Sequence, residues 1–459
     1  MKLLRNEKLK ILIELILINL FILNLAVGTI SNYSGKIFLL KGLVSVLLIV
    51  TTIVQCRIQN AEFRIQKLKK GLRKISGILF LFISYLALTL TYSSNPAYGF
   101  QKILNFLISA VPSVIIFYYL ISTITKLRVK LFVYSLGIIS VLSVSYIFIV
   151  YPFDQSTIYE YRAGRWSHVI YGRLISSIAV VLLLYLSSRR DLIQVLLYSV
   201  VSSIAVYGTY LSAFRAGFIG VLLVGGGLLV VNVYSALHNS KVKVPNTAGR
   251  QKSKVTNLPY GLNYLTNFMT STLLITSIKI VLPFIIAAVL IFTIPAKDII
   301  SLRFDNMTAI DNLQFKGDPA IHSRLDSWEL SWVIIKEHPF IGTGFGGFSG
   351  YNNIEWTKMI KYPHNIILEM TAEGGGVGLI VLCSLFVVMF KSFYNFSKCH
   401  PELISVSAIL LLTFFLFALW LAMFSKEFSN QTVFWIGLAF YGMGREALGT
   451  QRTEIKMEE

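Results

Sequence analysis

Long apolar runs separated by short polar connectors dominate the chain. A run of roughly 18 or more apolar residues is what a helix needs to cross a hydrocarbon core about 30 Å thick. Twelve runs predict spanning helices near 11–30, 37–55, 75–92, 103–124, 131–151, 169–188, 191–211, 216–234, 273–295, 375–391, 403–424 and 431–446. The fold class this predicts is an all-α polytopic membrane protein, with one large external loop containing short helices. Glu14 and Lys279 stand out as charges inside spans.

Two segments interrupt the regular alternation. Residues 235–262 form a polar, basic stretch with Gly and Pro, expected as a solvated cytoplasmic connector. Residues 296–374 form a loop of about eighty residues carrying seven Lys/Arg, ten Asp/Glu, three His and three Trp. Long ordered loops in compact proteins are commonly functional. Asp318-Pro319 has the form of a helix start, with Asp as cap and Pro at the first position. From His322 to Glu337, Leu325, Trp328, Trp332 and Ile335 recur at helical spacing and predict one apolar face, with Arg324, Ser327, Ser331 and Lys336 off it. His338-Pro339 ends this helix, GTGFGGFSG follows at 342–350, and a further helix starts after Tyr362-Pro363-His364-Asn365. The expected organisation is an N-terminal helical region (1–204), a region 205–446 holding both long loops, and a cytoplasmic tail (447–459).

Composition adds direction. The 459 residues are 55% hydrophobic and 14% charged, against about a quarter charged in soluble domains. This excludes a soluble enzyme, a disordered chain and a secreted disulfide scaffold. The net charge of +20 arises from 42 Lys+Arg against 22 Asp+Glu. Seven of the basic residues lie in 57–74 and five in 241–254, which puts those segments and both termini in the cytoplasm by the positive-inside rule. No nucleic-acid-binding motif accompanies the charge, so nucleic acid is not an expected partner. The basic N-terminus followed by an apolar run has the form of a signal peptide, but no A-x-A site follows, so an uncleaved first span is expected. Three cysteines without C-x-x-C spacing argue against a metal or redox centre.

The candidate chemistry gathers at one side of the membrane. Arg215, in LSAFRAGF between two apolar runs, would sit at or just inside the external face, where an ionised side chain costs roughly 2.5–3.5 kcal/mol if carried to mid-bilayer. It is either a snorkelling anchor or a fixed cation for a phosphate, using the planar donors of a guanidinium. Arg324 either pairs with Asp326 or Glu329 on a solvated face or supplies a second phosphate ligand. His364, before a helix start, is either a helix-entry residue or a proton acceptor. His322 is a further candidate, whereas His338 reads as helix-terminal. Asn365, Glu369 and Glu373 share a helix face, and the carboxylates could orient His364 or a sugar hydroxyl. GTGFGG matches G-x-G-x-x-G without the preceding strand of a dinucleotide fold, so it reads as a tight turn where backbone approaches a ligand or another helix. No G-x-S-x-G, Walker, H-E-x-x-H or D-x-D motif is present to support a serine hydrolase, ATPase, zincin or metal-dependent nucleotide-sugar transferase.

Taken together, Arg215 in its apolar context, HSRLDSWELSWVIIKEHPFIGTGFGGF, YPHNIILEMTAEGGGVGL and FSNQTVFWIGLAF resemble the O-antigen ligase and O-antigen polymerase superfamily of bacterial membranes, over residues 205–445. The resemblance implies about twelve helices with a large periplasmic loop. It implies an inverting glycan transfer from an undecaprenyl-diphosphate carrier, independent of metal, ATP or other cofactors. Its required arginines and histidine match Arg215, Arg324 and His364 as catalytic residues, with Arg215, Arg324, Asn365, Glu369, Glu373 and His322 as substrate contacts. Expected partners are the lipid-linked glycan donor, a glycan or lipid A-core acceptor, membrane lipids and a chain-length regulator, at the bacterial inner membrane. A polymerase of O-antigen, capsule or exopolysaccharide is the leading expectation and a ligase the close alternative. A lipid-linked glycan transporter is the alternative of another class.

Overall fold

The computed structural model describes residues 7–28, 35–58, 62–122, 126–150, 168–187, 191–212, 215–242, 260–293, 310–311, 314–315, 319–351, 361–399, 401–424 and 431–442. The Asp318 cap and the 447–459 tail lie outside the described residues. The chain divides into two compact units, Met1–Ser135 with Leu302–Glu459, and Leu136–Ser301.

Helices α1 (Glu7–Gly28), α2 (Gly35–Ile58), α3 (Glu62–Thr89), α4 (Pro96–Asn105), α5 (Val111–Ser122) and α6 (Lys126–Val150) come first. Next are α7 (His168–Ser187), α8 (Leu192–Leu211), α9 (Arg215–Val242) and α10 (Tyr260–Thr293). A two-residue antiparallel pair, β1 (Ile310–Asp311) and β2 (Gln314–Phe315), precedes α11 (Pro319–Glu337), α12 (Ile366–Cys399), α13 (Pro401–Phe424) and α14 (Thr432–Trp435). Among the described residues seven helical stretches are long and apolar enough to cross a membrane, and four shorter apolar helices join them. These overlie the first eleven predicted spans. The last, 431–446, is described to Gly442 and holds only α14 and a 3-10 stretch, Ile436–Gly442. The chain is a multi-pass helical membrane protein. The connector expected at 235–262 is helical at both ends, as α9 runs to Val242 and α10 begins at Tyr260; residues 243–259 lie outside the described residues.

The run expected at 103–124 is three pieces rather than one helix: α4, a π-helical turn at Phe106–Ala110, and α5. Pro112 explains part of this, since it has no N–H to offer the carbonyl four residues back, at Ile108. That carbonyl instead accepts the Ser45 hydroxyl of α2 at 2.6 Å. Asn24 of α1 donates to Ser113 Oγ at 2.7 Å and accepts from Ser45 at 2.9 Å, closing a buried polar network around the turn. Below it, Phe82, Phe106, Phe434 and Trp435 form the aromatic centre of the first unit, with Phe106 edge-on to Trp435 at 5.2 Å.

The second unit packs α7 against α8, where Tyr185 and Tyr198 meet edge to face at 4.9 Å. Hydroxyls of Ser199, Ser203 and Thr209 on α8 are buried and donate to carbonyls four residues earlier, at 2.6–2.9 Å. Small residues of this kind let helices approach closely where no hydrophobic driving force separates protein from lipid. Buried charges inside helices go beyond Glu14 and Lys279: Lys41, Lys102, Arg128 and Arg173 are also buried. Glu14 accepts from Nε and Nη2 of Arg128 and from Gln55 Nε2, so it is pinned by two other helices.

Candidate functional site

The predicted loop helix forms as α11, with Pro319 first and His338 just past its end. The face it buries in the fold lies beside the predicted apolar one, of which Trp328 and Ile335 are half-buried. Ser327, Leu330, Ser331 and Ile334 are buried, whereas Leu325 and Trp332 are 44% and 56% exposed. The reason is close approach: serine is short enough to bring the helix axis onto its neighbour, and its hydroxyl is satisfied on the spot. Ser331 donates to Ser327 O at 2.7 Å. Leu330 and Ile334 pack on Phe348 and Ala372.

This face brings two of the candidates onto one scaffold. Ser327 Oγ donates both to Arg324 O at 2.7 Å and to Pro363 O at 3.2 Å. Trp328 Nε1 also donates to Pro363 O, at 3.0 Å. The turn of α11 carrying Arg324 is therefore tied to the residue preceding His364. His364 has φ 60°, the left-handed region that costs a side-chain-bearing residue of order 1–3 kcal/mol. The strain is held in place on both sides. Pro363 is gripped by α11, and Asn365 caps α12, its Oδ1 accepting from Ile367 N at 3.0 Å and Leu368 N at 3.1 Å. The His364 ring lies 4.4 Å from that of Tyr362. Arg324 and His364 are both half-buried. The positive end of the α12 dipole lies beside His364, while the first N–H groups of the helix are already taken by Asn365.

Helix α12 breaks at Gly375, where φ is 61° and ψ −156°. A break leaves amides and carbonyls without helical partners, and the turn after α11 takes up four of them. Gly376 N and Val377 N donate to Pro339 O and Phe340 O at 2.8 and 3.2 Å. Ala372 O and Glu373 O accept from Thr343 N and Gly344 N at 3.1 and 2.8 Å. GTGFGG is thus a tight turn spliced into a helix, which resolves the expectation of a ligand or another helix in favour of the helix. The connector after α3 clamps its other side. Ser93 Oγ, Ser94 Oγ and Asn95 Nδ2 donate to Phe345 O, Gly347 O and Ser349 Oγ at 2.8–3.0 Å.

Glu369 and Glu373 follow the cap at one and two turns, as expected, and are fully buried. The sequence reading offers them to His364 or a sugar hydroxyl, but the structure pairs both with Lys102 of α4. Lys102 Nζ lies 2.5 Å from Glu369 Oε1 and 2.7 Å from Glu373 Oε2. The Phe345 ring caps the ammonium at 4.4 Å. Lys102 was not legible as a functional residue, because its partners lie 271 and fewer residues away along the chain. His322 lies in α11 with its side chain outside the described residues. Arg215 is the first residue of α9 in the second unit, half-buried, following the buried Ser212. Among the described residues no group of three or more His, Cys, Asp or Glu stands together as a metal site.

A comparison with known families matches residues 174–383 to the family model described as O-antigen ligase. The match takes in Arg215, Arg324, the spliced turn, His364 and the break in α12, and leaves out Lys102. No curated protein matches the chain.

Proposed function

We propose that the chain, whose residues 174–383 match the family model described as O-antigen ligase, transfers glycan from an undecaprenyl-diphosphate carrier to a sugar hydroxyl at the external face of the bacterial cytoplasmic membrane. The concentration of Lys and Arg in the segments assigned to the cytoplasm supports that orientation. The observation that carries the reading is the joining of the Arg324 turn to the strained residue His364 beside a capped helix start, inside the matched region.

The chemistry balances with the chain's own residues. The acceptor hydroxyl oxygen attacks the anomeric carbon, the bond from that carbon to the diphosphate oxygen breaks with inversion, and the hydroxyl proton passes to the His364 imidazole. The leaving diphosphate gains negative charge. Arg324 and Arg215 are assigned to stabilise it with charge-assisted hydrogen bonds, with Asn365 and His322 as further substrate contacts. The diphosphate linkage is already activated, so neither ATP nor a metal is required by the reaction.

Repeat-unit polymerisation is the form we propose first, with a chain-length regulator as partner. Ligation to lipid A-core is the second reading, favoured by the description of the matched family. A deletion strain separates them: single-repeat glycan marks a polymerase, and polymer stranded on the carrier marks a ligase. Purified protein with lipid-linked oligosaccharide and acceptor is expected to form product in the presence of EDTA. Arg215→Ala, Arg324→Ala and His364→Ala should each reduce turnover by about a hundredfold or more. Full activity in the Arg324 and His364 variants would overturn the assignment.

A further inference from the structure

Lys102 is the only charged residue of α4, and its side chain is 1% exposed. An ammonium is taken out of water only where its surroundings repay the cost. Here they include two carboxylates and two aromatic rings, Phe345 at 4.4 Å and Tyr98 at 5.8 Å. Glu369 and Glu373 stand four and eight residues after the α12 cap. Lys102 therefore grips one ridge of that helix at its first and second turns. Through Phe345 it also holds the turn whose Gly344 N donates to Glu373 O at 2.8 Å. The Glu369 amide in turn donates to Asn365 O at 2.9 Å, the first helical bond after His364. Apolar side chains would join these helices without fixing rotation about the α12 axis. A point charge between two carboxylates on one face does fix it.

We infer that Lys102 is a positioning residue for His364: through Glu369, Glu373 and the Phe345 ring it sets the angular position of the start of α12, and so the direction in which the imidazole meets its substrate. This rests on the proposed glycan transfer, deepening it by a residue outside the matched family region.

The test uses the full chain in lipid nanodiscs. Lys102→Met, Lys102→Arg and the triple variant Lys102→Met/Glu369→Gln/Glu373→Gln are compared by turnover with an undecaprenyl-diphosphate oligosaccharide. They are compared independently by the rate at which diethyl pyrocarbonate modifies His364, read by peptide mass spectrometry. Lys102→Met is expected to lower kcat at least tenfold with donor KM within threefold of wild type, and to change the His364 modification rate at least threefold. Lys102→Arg should recover most of both. The triple variant leaves no unpaired charge, so it carries the test if Lys102→Met fails to fold. A positioning role predicts that it folds yet keeps a low kcat and an altered His364 rate. Wild-type turnover and wild-type His364 reactivity in the triple variant would reduce Lys102 to a structural pin and overturn the inference. Absence of transfer by the wild-type protein would remove the proposed reaction instead, and the His364 modification rates would still decide the positioning.

Discussion

His364 has a backbone role and a proposed chemical role, and two substitutions separate them. Its φ of 60° is accessible to glycine without penalty, whereas a Cβ there costs roughly 1–2 kcal/mol. Glycine's extra freedom in the unfolded chain returns about 0.4–1 kcal/mol of that. His364→Gly and His364→Ala both remove the imidazole and its contact with Tyr362, so those losses cancel between them. The Gly variant should then be the more stable by about 1 kcal/mol, reversing the usual order in which Ala exceeds Gly inside helices. Thermal unfolding in one detergent at a fixed scan rate should place its midpoint higher by about 1 °C. Neither variant should turn over lipid-linked glycan above about a hundredth of the wild-type rate, the contribution of a positioned proton acceptor. An Ala variant as stable as the Gly variant would refute the strained backbone. A Gly variant with near wild-type turnover would refute the chemical role.

Two further outcomes follow from the geometry around that residue. A Cβ on Gly344, where φ is +81°, would lie 2.5 Å from Ser93 Cα and 2.6 Å from Thr89 O, so Gly344→Ala should cost about 3 kcal/mol and lower the melting midpoint; Gly226→Ala, with nothing within 4 Å, serves as the control and should not. Asn365→Ala removes the cap of α12 and should cost about 1 kcal/mol, while Asn365→Asp keeps the acceptor oxygen and the stability but places a negative charge where the donor diphosphate is proposed to bind, so it should raise donor KM severalfold; unchanged KM would move the diphosphate elsewhere.

The helices were legible because burial in lipid requires long apolar runs, and the ends of α11 were legible because Pro319 and His338-Pro339 have fixed meanings at helix boundaries. Glu369 and Glu373 were rightly placed on the Asn365 face, since helical spacing is local. What the sequence hid depends on partners far along the chain. Lys102 sits at the edge of an apolar run, and nothing nearby announces the two carboxylates that meet it. Periodicity marked the apolar face of α11 but not the face that packs, where small residues let it close on Pro363 and Ala372. The break in α12 was equally hidden. Three consecutive glycines, 374–376, permit an interruption, but only the distant turn at 339–344 supplies the donors and acceptors that make it stable.

The buried charges also bear on the choice between transfer and transport. In a carrier, ionisable groups on the substrate path exchange partners as the substrate passes. In the first unit they are fixed by several helices at once. Glu14 of α1 is held by Arg128 of α6 and Gln55 of α2, and Arg128 also donates to Leu120 O at 3.3 Å and lies over the Tyr119 ring. Lys102 of α4 is held by two carboxylates of α12 and the ring of Phe345. Breaking either cluster would strand an unpaired charge in a low-dielectric interior, at a cost of about 3–5 kcal/mol. Such clusters suit a rigid frame that keeps a strained histidine and its neighbouring helix in one geometry. Catalysis by positioned groups requires that rigidity.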